Sequence, residues 1–331
     1  MGLSTLDRFD LNATEIDQLE ELVGRLCAEY DEANGIEFVR RAAELSVQLP
    51  ERLVGFLEGF RRESLTAAVV VSGFTVSDEA IGTTPPHWRE RSRATPREDA
   101  YLTLLTSRLG DLFCWKSLQD ARLLNDVVPI AGDESSQTGH GSRVEFDVHC
   151  EDGFNDFRCD FLGLMCFRNQ ERIPTTVSLM DDIRLGAADE KVLRQERFVL
   201  SPDSENVRNA SSLGQTGPRL VSLLNGDADS PYVRVDCREY MKTVDGDDEA
   251  NLAMTNLLGE FRRVQQAIDL DQGDVCLIDN FRCVHGRQPF QPKYDGFDRW
   301  YRKALVTRDL RKSRTLRSSA AGYIIDMTRY A

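Results

Sequence analysis

Histidine is scarce in this chain. His87, His140, His149 and His285 are all that a metal site or an acid–base pair can draw on among 331 residues. The eight cysteines form no C-x-x-C pair, so the usual zinc-ribbon and dithiol spacings are missing. Several of them sit in apolar runs, where a free thiol packs as a small hydrophobe. Positive charge is also in deficit: 41 Lys and Arg against 55 Asp and Glu leave a net charge of −14. That is the wrong sign for wrapping nucleic acid or lying on an anionic membrane. No uncharged apolar run reaches the ~18–20 residues that span a bilayer, and MGLSTLDRFDLNATEID has neither the basic nor the apolar segment of a secretory leader. A cytoplasmic protein with reduced thiols is expected, with no nucleic-acid or membrane partner. Repeats, low-complexity tracts and linkers are absent as well, which favours one domain over residues 1–331.

What is present runs as helices first, then sheet. Asn12 stands three residues before Glu15 as a capping box, and Ile16, Leu19, Leu22, Val23, Leu26 and Tyr30 follow at helical spacing. A polar, leucine-bearing stretch from about Gly35 to Arg62 completes a helical part over about 1–62. TAAVVVSGF, Thr66 to Phe74, then reads as a buried strand ended by glycine. Asp99–Gly110 reads as a helix, while Arg122–Ile130, Val144–His149, Phe161–Phe167 and Thr175–Leu179 read as strands. Helical and loop-like sequence fills about 185–268, where Ser201–Gln215, rich in Ser, Asn and Asp, has the composition of a mobile lid reaching to Gly217. Strands return at VCLIDN (Val275 to Asn280) and RWYRKALVTRDL (Arg299 to Leu310). An α+β fold with a β-barrel centre accounts for this order.

His149-Cys150-Glu151 closes one alternating run. Residues two apart on a strand share a face, so the imidazole and the carboxylate can converge on one cation while Cys150 points away into packing. His285, on a distant strand, can complete the set. Two histidines and one carboxylate on one face of iron leave positions open for a bidentate co-substrate and dioxygen. With 55 of 331 positions acidic, however, about one histidine in six has an acid two residues on, so the triplet alone is a weak signal.

The second block is more specific. In DNFRCVHGRQPFQPKYDGFDRWYRK, residues 279–303, the histidine is followed by Gly286-Arg287, a proline-containing turn and, fourteen positions on, Arg299. This block resembles the iron(II)/2-oxoglutarate oxygenases of the taurine dioxygenase and clavaminate synthase-like superfamily. HCEDGFNDFRCDFLGLMCFRN, His149 to Asn169, is similar to its free L-amino-acid hydroxylase branch, which includes arginine and asparagine β-hydroxylases of peptide-antibiotic pathways. The resemblance runs from TAAVVVSGF through the C-terminal strand, about three quarters of the chain. It implies a double-stranded β-helix (jelly-roll, cupin-like) core over about 66–331, flanked by helices. It implies Fe(II) held by His149, Glu151 and His285, with 2-oxoglutarate and O2 as co-substrates. Arg299 would pair with the distal carboxylate of 2-oxoglutarate, a role suited to a planar guanidinium. Thr176 would offer its hydroxyl, although a strand threonine is equally a packing residue.

The same resemblance assigns substrate contacts to Gln119, Asp236, Lys303 and Glu151. Gln119 has an alternative as a turn cap, and Asp236 as a partner of Arg234 or Arg238. Two departures stand out. Lys303 replaces an arginine that holds the substrate α-carboxylate, exchanging a two-point fork for a point charge. Arg238 stands where arginine-specific relatives carry a second aspartate, which favours a neutral urea such as citrulline's alongside arginine, then lysine, then asparagine. Arg287, Arg302 and Arg308 have a bland reading as solvated charges.

The implied reaction is hydroxylation of C3 or C4 of a free L-amino acid, yielding succinate and carbon dioxide, in a nonribosomal-peptide or other natural-product pathway. Retention of Glu151 favours hydroxylation over halogenation, in which related enzymes lose the carboxylate. Alternatives are a desaturase on the same scaffold, a zinc-dependent hydrolase using the same ligands, and a non-catalytic barrel binding a small acid. The sequence leaves the oligomeric state open.

Overall fold

The structure, a computed structural model, describes residues 3–209 and 219–327. A short strand missed by the sequence patterning, β1 (Asp7–Asp10), precedes α1 (Ala13–Glu29). The capping box forms as expected: Asn12 Oδ1 accepts from the Glu15 N–H at 3.0 Å, and the Asn12 N–H donates to Glu15 Oε2 at 2.8 Å. The leucine-bearing stretch is two helices, α2 (Ile36–Ser46) and α3 (Glu51–Arg61), because Pro50 has no N–H to carry one helix through. Next come β2 (Ala68–Ser72), a short α4 (Asp78–Ile81), α5 (Pro96–Thr106), β3 (Asp111–Trp115) and β4 (Leu124–Val127). After β5 (Phe146–His149), β6 (Phe161–Arg168) and β7 (Thr175–Leu179), the chain forms α6 (Ala187–Leu193), β8 (Phe198–Leu200) and α7 (Ser204–Asn209). Then follow β9 (Leu224–Gly226), β10 (Pro231–Val233), β11 (Met241–Thr243), α8 (Asp248–Val264) and β12 (Gln266–Ile268), and finally β13 (Val275–Asp279), β14 (Cys283–Arg287), β15 (Trp300–Thr307) and β16 (Ile324–Ile325). The stretch 185–268 is thus not wholly helical; β8 pairs with β11 and β9 with β10.

Two larger sheets organise the rest. One runs β1-β2-β13-β6-β15-β3-β16, with β4 also on β15; the other runs β12-β7-β14-β5. Period-two alternation sorts the first sheet's side chains. Val69, Val71, Val275, Leu277, Trp300, Ala304 and Val306 face a helical layer containing Leu19, Leu26, Leu53, Leu57, Leu102 and Leu105. Val70, Cys276, Ile278, Tyr301 and Leu305 face the other way, joining Val177, Leu179 and Cys283 of the second sheet. The second sheet's outer face, with Val148, Cys150 and Val284, is covered by Met254, Leu257 and Phe261 of α8. Each fully buried leucine or phenylalanine in these layers contributes about 1.5–3 kcal/mol. The space between the sheets is apolar at one end and polar at the other, where the functional residues collect.

Approach of β14 to β5 depends on Gly286. A Cβ there would lie 2.4 Å from the Phe146 carbonyl oxygen and 3.1 Å from Thr176 Oγ1, and a β-bulge falls between His285 and Arg287 in the same pairing. Gly286→Ala is expected to push β14 off β5 at a cost of about 1–3 kcal/mol. Denaturant unfolding measures that loss, and a Gly286→Ala protein as stable as the parent would contradict the steric reading.

Candidate metal centre and its cavity

His149 and His285 face each other directly across the antiparallel β5–β14 pair, with ring centroids 4.2 Å apart. Glu151 lies just beyond β5, where strand alternation no longer positions it. Asn280 does so instead. Its Oδ1 accepts from the Glu151 N–H at 2.7 Å, and its Nδ2 donates to the Glu151 and Cys159 carbonyls at 2.9 and 3.0 Å. The donor atoms of His149, Glu151 and His285 all fall within 4.8 Å of one another. All three residues are at least nine-tenths buried. Nδ1 of His149 is bonded 2.9 Å to the Asp147 carbonyl, which only accepts; Nδ1 therefore carries the hydrogen and Nε2 offers its lone pair.

Electrostatics keep these donors in ligand form. Burial, reinforced by His285, pushes His149 down to about 3, so its ring is neutral at physiological pH. Burial opposes ionisation of Glu151, but Lys303 and His285 overcome it and hold the carboxyl well below its usual range. Lys303 Nζ donates to Glu151 Oε1 at 2.5 Å, while Oε2 lies 3.6 Å from His285 Nε2. One carboxylate oxygen is thus committed to lysine and the other turned to the histidines. Two imidazoles and one carboxylate, with one side left open, fit ferrous iron better than a closed zinc site.

The donors line a cleft of about 850 Å³, measured out to its mouth, that also receives Arg299, Tyr301 and Lys303 from one face of β15 and the residue before it. The Arg299 guanidinium lies 3.8 Å from the Tyr301 ring centroid, and its Nη2 donates to Thr175 Oγ1 at 3.1 Å. The opposite face of β15 is anchored by a buried network: Trp300 Nε1 donates to Asp126 at 2.7 Å, and Arg302 contacts Asp99 at 2.5 Å and Asp126 at 3.0 Å. Arg302 is wholly buried, so its reading as a solvated charge is wrong. So is that of Arg287, which faces the cavity and is pushed down to about 9 by burial and by Arg299. Arg308 is exposed.

Two expected contacts are misplaced. Thr176 does not line the cavity; its hydroxyl accepts from Gln265 Nε2 at 3.1 Å. Alternation turns its neighbour Thr175 inward instead. Gln119 is also outside the cavity, because both ends of its amide are spent on Asp126: Nε2 donates to the carbonyl at 2.7 Å and Oε1 accepts from the N–H at 2.8 Å. It is the turn cap of the alternative reading. Asp236 does line the cavity, buried, with Oδ1 accepting from the Cys237 N–H at 2.8 Å. It pairs with neither arginine beside it: Arg234 bonds Asp156 and two carbonyls, and Arg238 bonds the Met241 carbonyl and Asn251. Cys150 packs on the outer face among Val148 and Val284. The lid segment Ser201–Gly217 lies partly outside the described residues; its described part brings Asp203 and Glu205 to the cavity.

Sequence reasoning missed Thr175, Asn280, Asp152, Asp203 and Glu205. Asp152 accepts from Trp115 Nε1 at 2.6 Å and is pushed up to about 8 by burial and by Glu151. Burial lifts Asp203 to about 6. Five carboxylates (Glu151, Asp152, Asp203, Glu205, Asp236) meet three cationic side chains (Arg287, Arg299, Lys303) along the cavity wall. Burial raises Asp152, Asp203 and Asp236 of this set toward their neutral forms.

No family model matches the chain. It is 32% identical to an enduracididine beta-hydroxylase of Streptomyces hygroscopicus over 95% of its own length and 98% of the relative's. It is also 32% identical to an L-ornithine/L-arginine 3-hydroxylase of Catenulispora acidiphila, over 97% and 100%. Among solved structures, the non-heme iron oxygenase OrfP with Fe, succinate and (3S)-hydroxy-L-Arg matches with TM-score 0.89 and 33% identity, covering 96% of this chain and 99% of that one. An asparagine oxygenase with Fe(II), hydroxyasparagine and succinate matches with TM-score 0.87 and 28% identity at the same coverage.

Loss of the Asn280 clamp is expected to loosen Glu151 and lower Fe(II) affinity about 10- to 100-fold in Asn280→Ala, as for other residues that orient metal ligands. Anaerobic Fe(II) titration reads this directly. Asp126→Ala leaves Arg302 buried beside Asp99 alone and is expected to cost roughly 3–5 kcal/mol, measured by chemical unfolding.

Proposed function

The chain belongs to the iron(II)- and 2-oxoglutarate-dependent hydroxylases of free amino acids, and from that membership we propose how its residues divide the work. His149, Glu151 and His285 would hold the ferrous ion. Iron and 2-oxoglutarate, when bound, would supply the oxygen-activating chemistry, with 2-oxoglutarate the source of the succinate and carbon dioxide. Arg299 would pair with the distal carboxylate of 2-oxoglutarate, with Thr175 rather than Thr176 as the hydroxyl beside it. Tyr301 stiffens the guanidinium by lying against it. Hydrolase and binding-only readings fall away with the family.

On the substrate side, Lys303 would take the α-carboxylate. An ammonium has three donors, so it can keep Glu151 Oε1 and still present hydrogens to a second anion. A lysine therefore serves where relatives use an arginine, holding two carboxylates apart by one point charge. Asp236 would meet the far end of the side chain, with Glu151 near the substrate backbone. Burial of these groups keeps water away from the reacting carbon while the amino acid is held in place. We read the substrate as a free L-amino acid with a long polar side chain, arginine- or citrulline-like ahead of lysine and asparagine, hydroxylated at C3 or C4 for a natural-product pathway. We read the two facing sheets as a double-stranded β-helix, the chain as one catalytic domain, and the cytoplasm, which suits eight free thiols, as its compartment. No helix among the described residues is long and apolar enough to cross a membrane.

The observation that carries this reading is the His149–Glu151–His285 cluster sharing one cavity with Arg299 and Lys303. Aerobic protein supplied with Fe(II), ascorbate and 2-oxoglutarate is expected to form succinate only with the right amino acid, in step with a product heavier by one oxygen. Screening the proteinogenic amino acids with citrulline and ornithine tests this, and amino-acid-independent succinate alone would reject it. His149→Ala and His285→Ala should each abolish turnover.

A further inference from the structure

Arginine-type side chains end in a cation whose burial needs a carboxylate partner, and on the strand side Asp236 stands alone because Arg238 is turned to the Met241 carbonyl and Asn251. The cavity wall made by α7 supplies another. Glu205 Oε1 lies 3.5 Å from Nε2 of His140, whose side chain is only 3% exposed. Neither of those two atoms has a hydrogen-bond partner. Nδ1 of His140 is bonded to the Val128 carbonyl at 2.9 Å and so carries a hydrogen. The neutral ring would set Nε2 against Glu205 acceptor to acceptor, and, against the effect of burial, Glu205 raises the pKa of the ring. Such a pair is at ease only with an extra proton or with a donor between them. α7 itself is tied down independently, by Ser117 Oγ donating to Asn206 Oδ1 at 2.8 Å and by Arg208 with Asp133 at 3.0 Å. The helix is therefore held by contacts that do not involve Glu205, whose carboxylate lines the cavity beside the His140 ring.

We propose that Glu205, set against His140 on the cavity wall, is the residue by which this enzyme selects amino acids whose side chain ends in a cation. The inference rests on the hydroxylase reading above and sharpens it from a long polar side chain to a guanidinium or ammonium. A multi-donor cation brings Glu205 both hydrogens and charge, taking the place of the proton shared with His140; a urea brings hydrogens but no charge.

Kinetics of the iron-loaded enzyme with 2-oxoglutarate separate the possibilities, using arginine, ornithine and lysine as cations and citrulline as the neutral isostere of arginine. The parent should prefer a cationic amino acid. E205Q should lower kcat/KM for that substrate about 10- to 100-fold, chiefly through KM, while citrulline turnover stays within about 3-fold and E205D restores most of the loss. An equal loss for citrulline, no loss for the cation, or a parent that prefers citrulline or asparagine would overturn the assignment while leaving the hydroxylase intact. If no amino acid supports succinate formation, the hydroxylase reading fails on its own account. Calorimetry of arginine with the anaerobic protein still reads Glu205: weaker binding in E205Q supports its role, and unchanged binding overturns it.

Discussion

Antiparallel pairing of β14 with β5 is the constraint on which the site depends. It sets His285 opposite His149, although the two are separated by more than a third of the chain. Gly286 makes the approach possible by presenting no Cβ to the Phe146 carbonyl. On its other edge β14 pairs with β7, which brings Thr175 opposite Arg287 and within reach of Arg299. The turn between β13 and β14 supplies Asn280, whose amide clamps the backbone of the third donor. The His149–Glu151–His285 cluster, Arg299 and Thr175 are thus all referenced to one strand.

Charge is the second organising quantity. Burying an ion is costly unless it is paired and hydrogen-bonded, yet this cavity holds eight carboxylic, guanidinium and ammonium side chains besides its histidines. They divide into an anchored set and a receptive set. Glu151 is tied to Lys303 and Asp152 to Trp115. Asp203 and Asp236 have only one oxygen each engaged by a neighbouring backbone N–H, and burial raises both toward the neutral form. A cation arriving there would ionise them again with release of protons, so its binding would strengthen as the pH rises. On the back of β15, Arg302, Asp99, Asp126 and Trp300 form a closed network that holds the strand in register while its front face carries the working cations.

Much of this was legible in the order of residues alone. The H-x-E triplet, the second histidine block and the Arg299–Lys303 spacing each pointed at residues that line the cavity. Glu151 lies beyond β5 and was reached through the motif it shares with the family, whereas for Arg299 and Lys303 the reason is alternation along one strand, a local property. The capping box at Asn12 and the buried strand at Ala68–Ser72 were readable for the same reason. Gln119 was not: its spacing from His149 matched a substrate contact, but a turn whose three residues all have positive φ directs its amide to Asp126. Glu205 was hidden inside a segment identifiable only by composition. Asn280 looked like the tail of an apolar strand.

Sequence alone determined the chemistry: which side chains could bind a soft-to-borderline cation, which cations could meet carboxylates, and that a lysine rather than an arginine stands third along the front face of the last long strand. Tertiary structure decided orientation. Whether Thr175 or Thr176 faces inward depends on pairing with strands about a hundred residues away, and whether an acid meets the substrate depends on how α7 is tied to Ser117 and Asp133. Side-chain identity is set one residue at a time. The face a side chain occupies is set by long-range hydrogen-bond register, in which a shift of one residue turns every side chain to the other side.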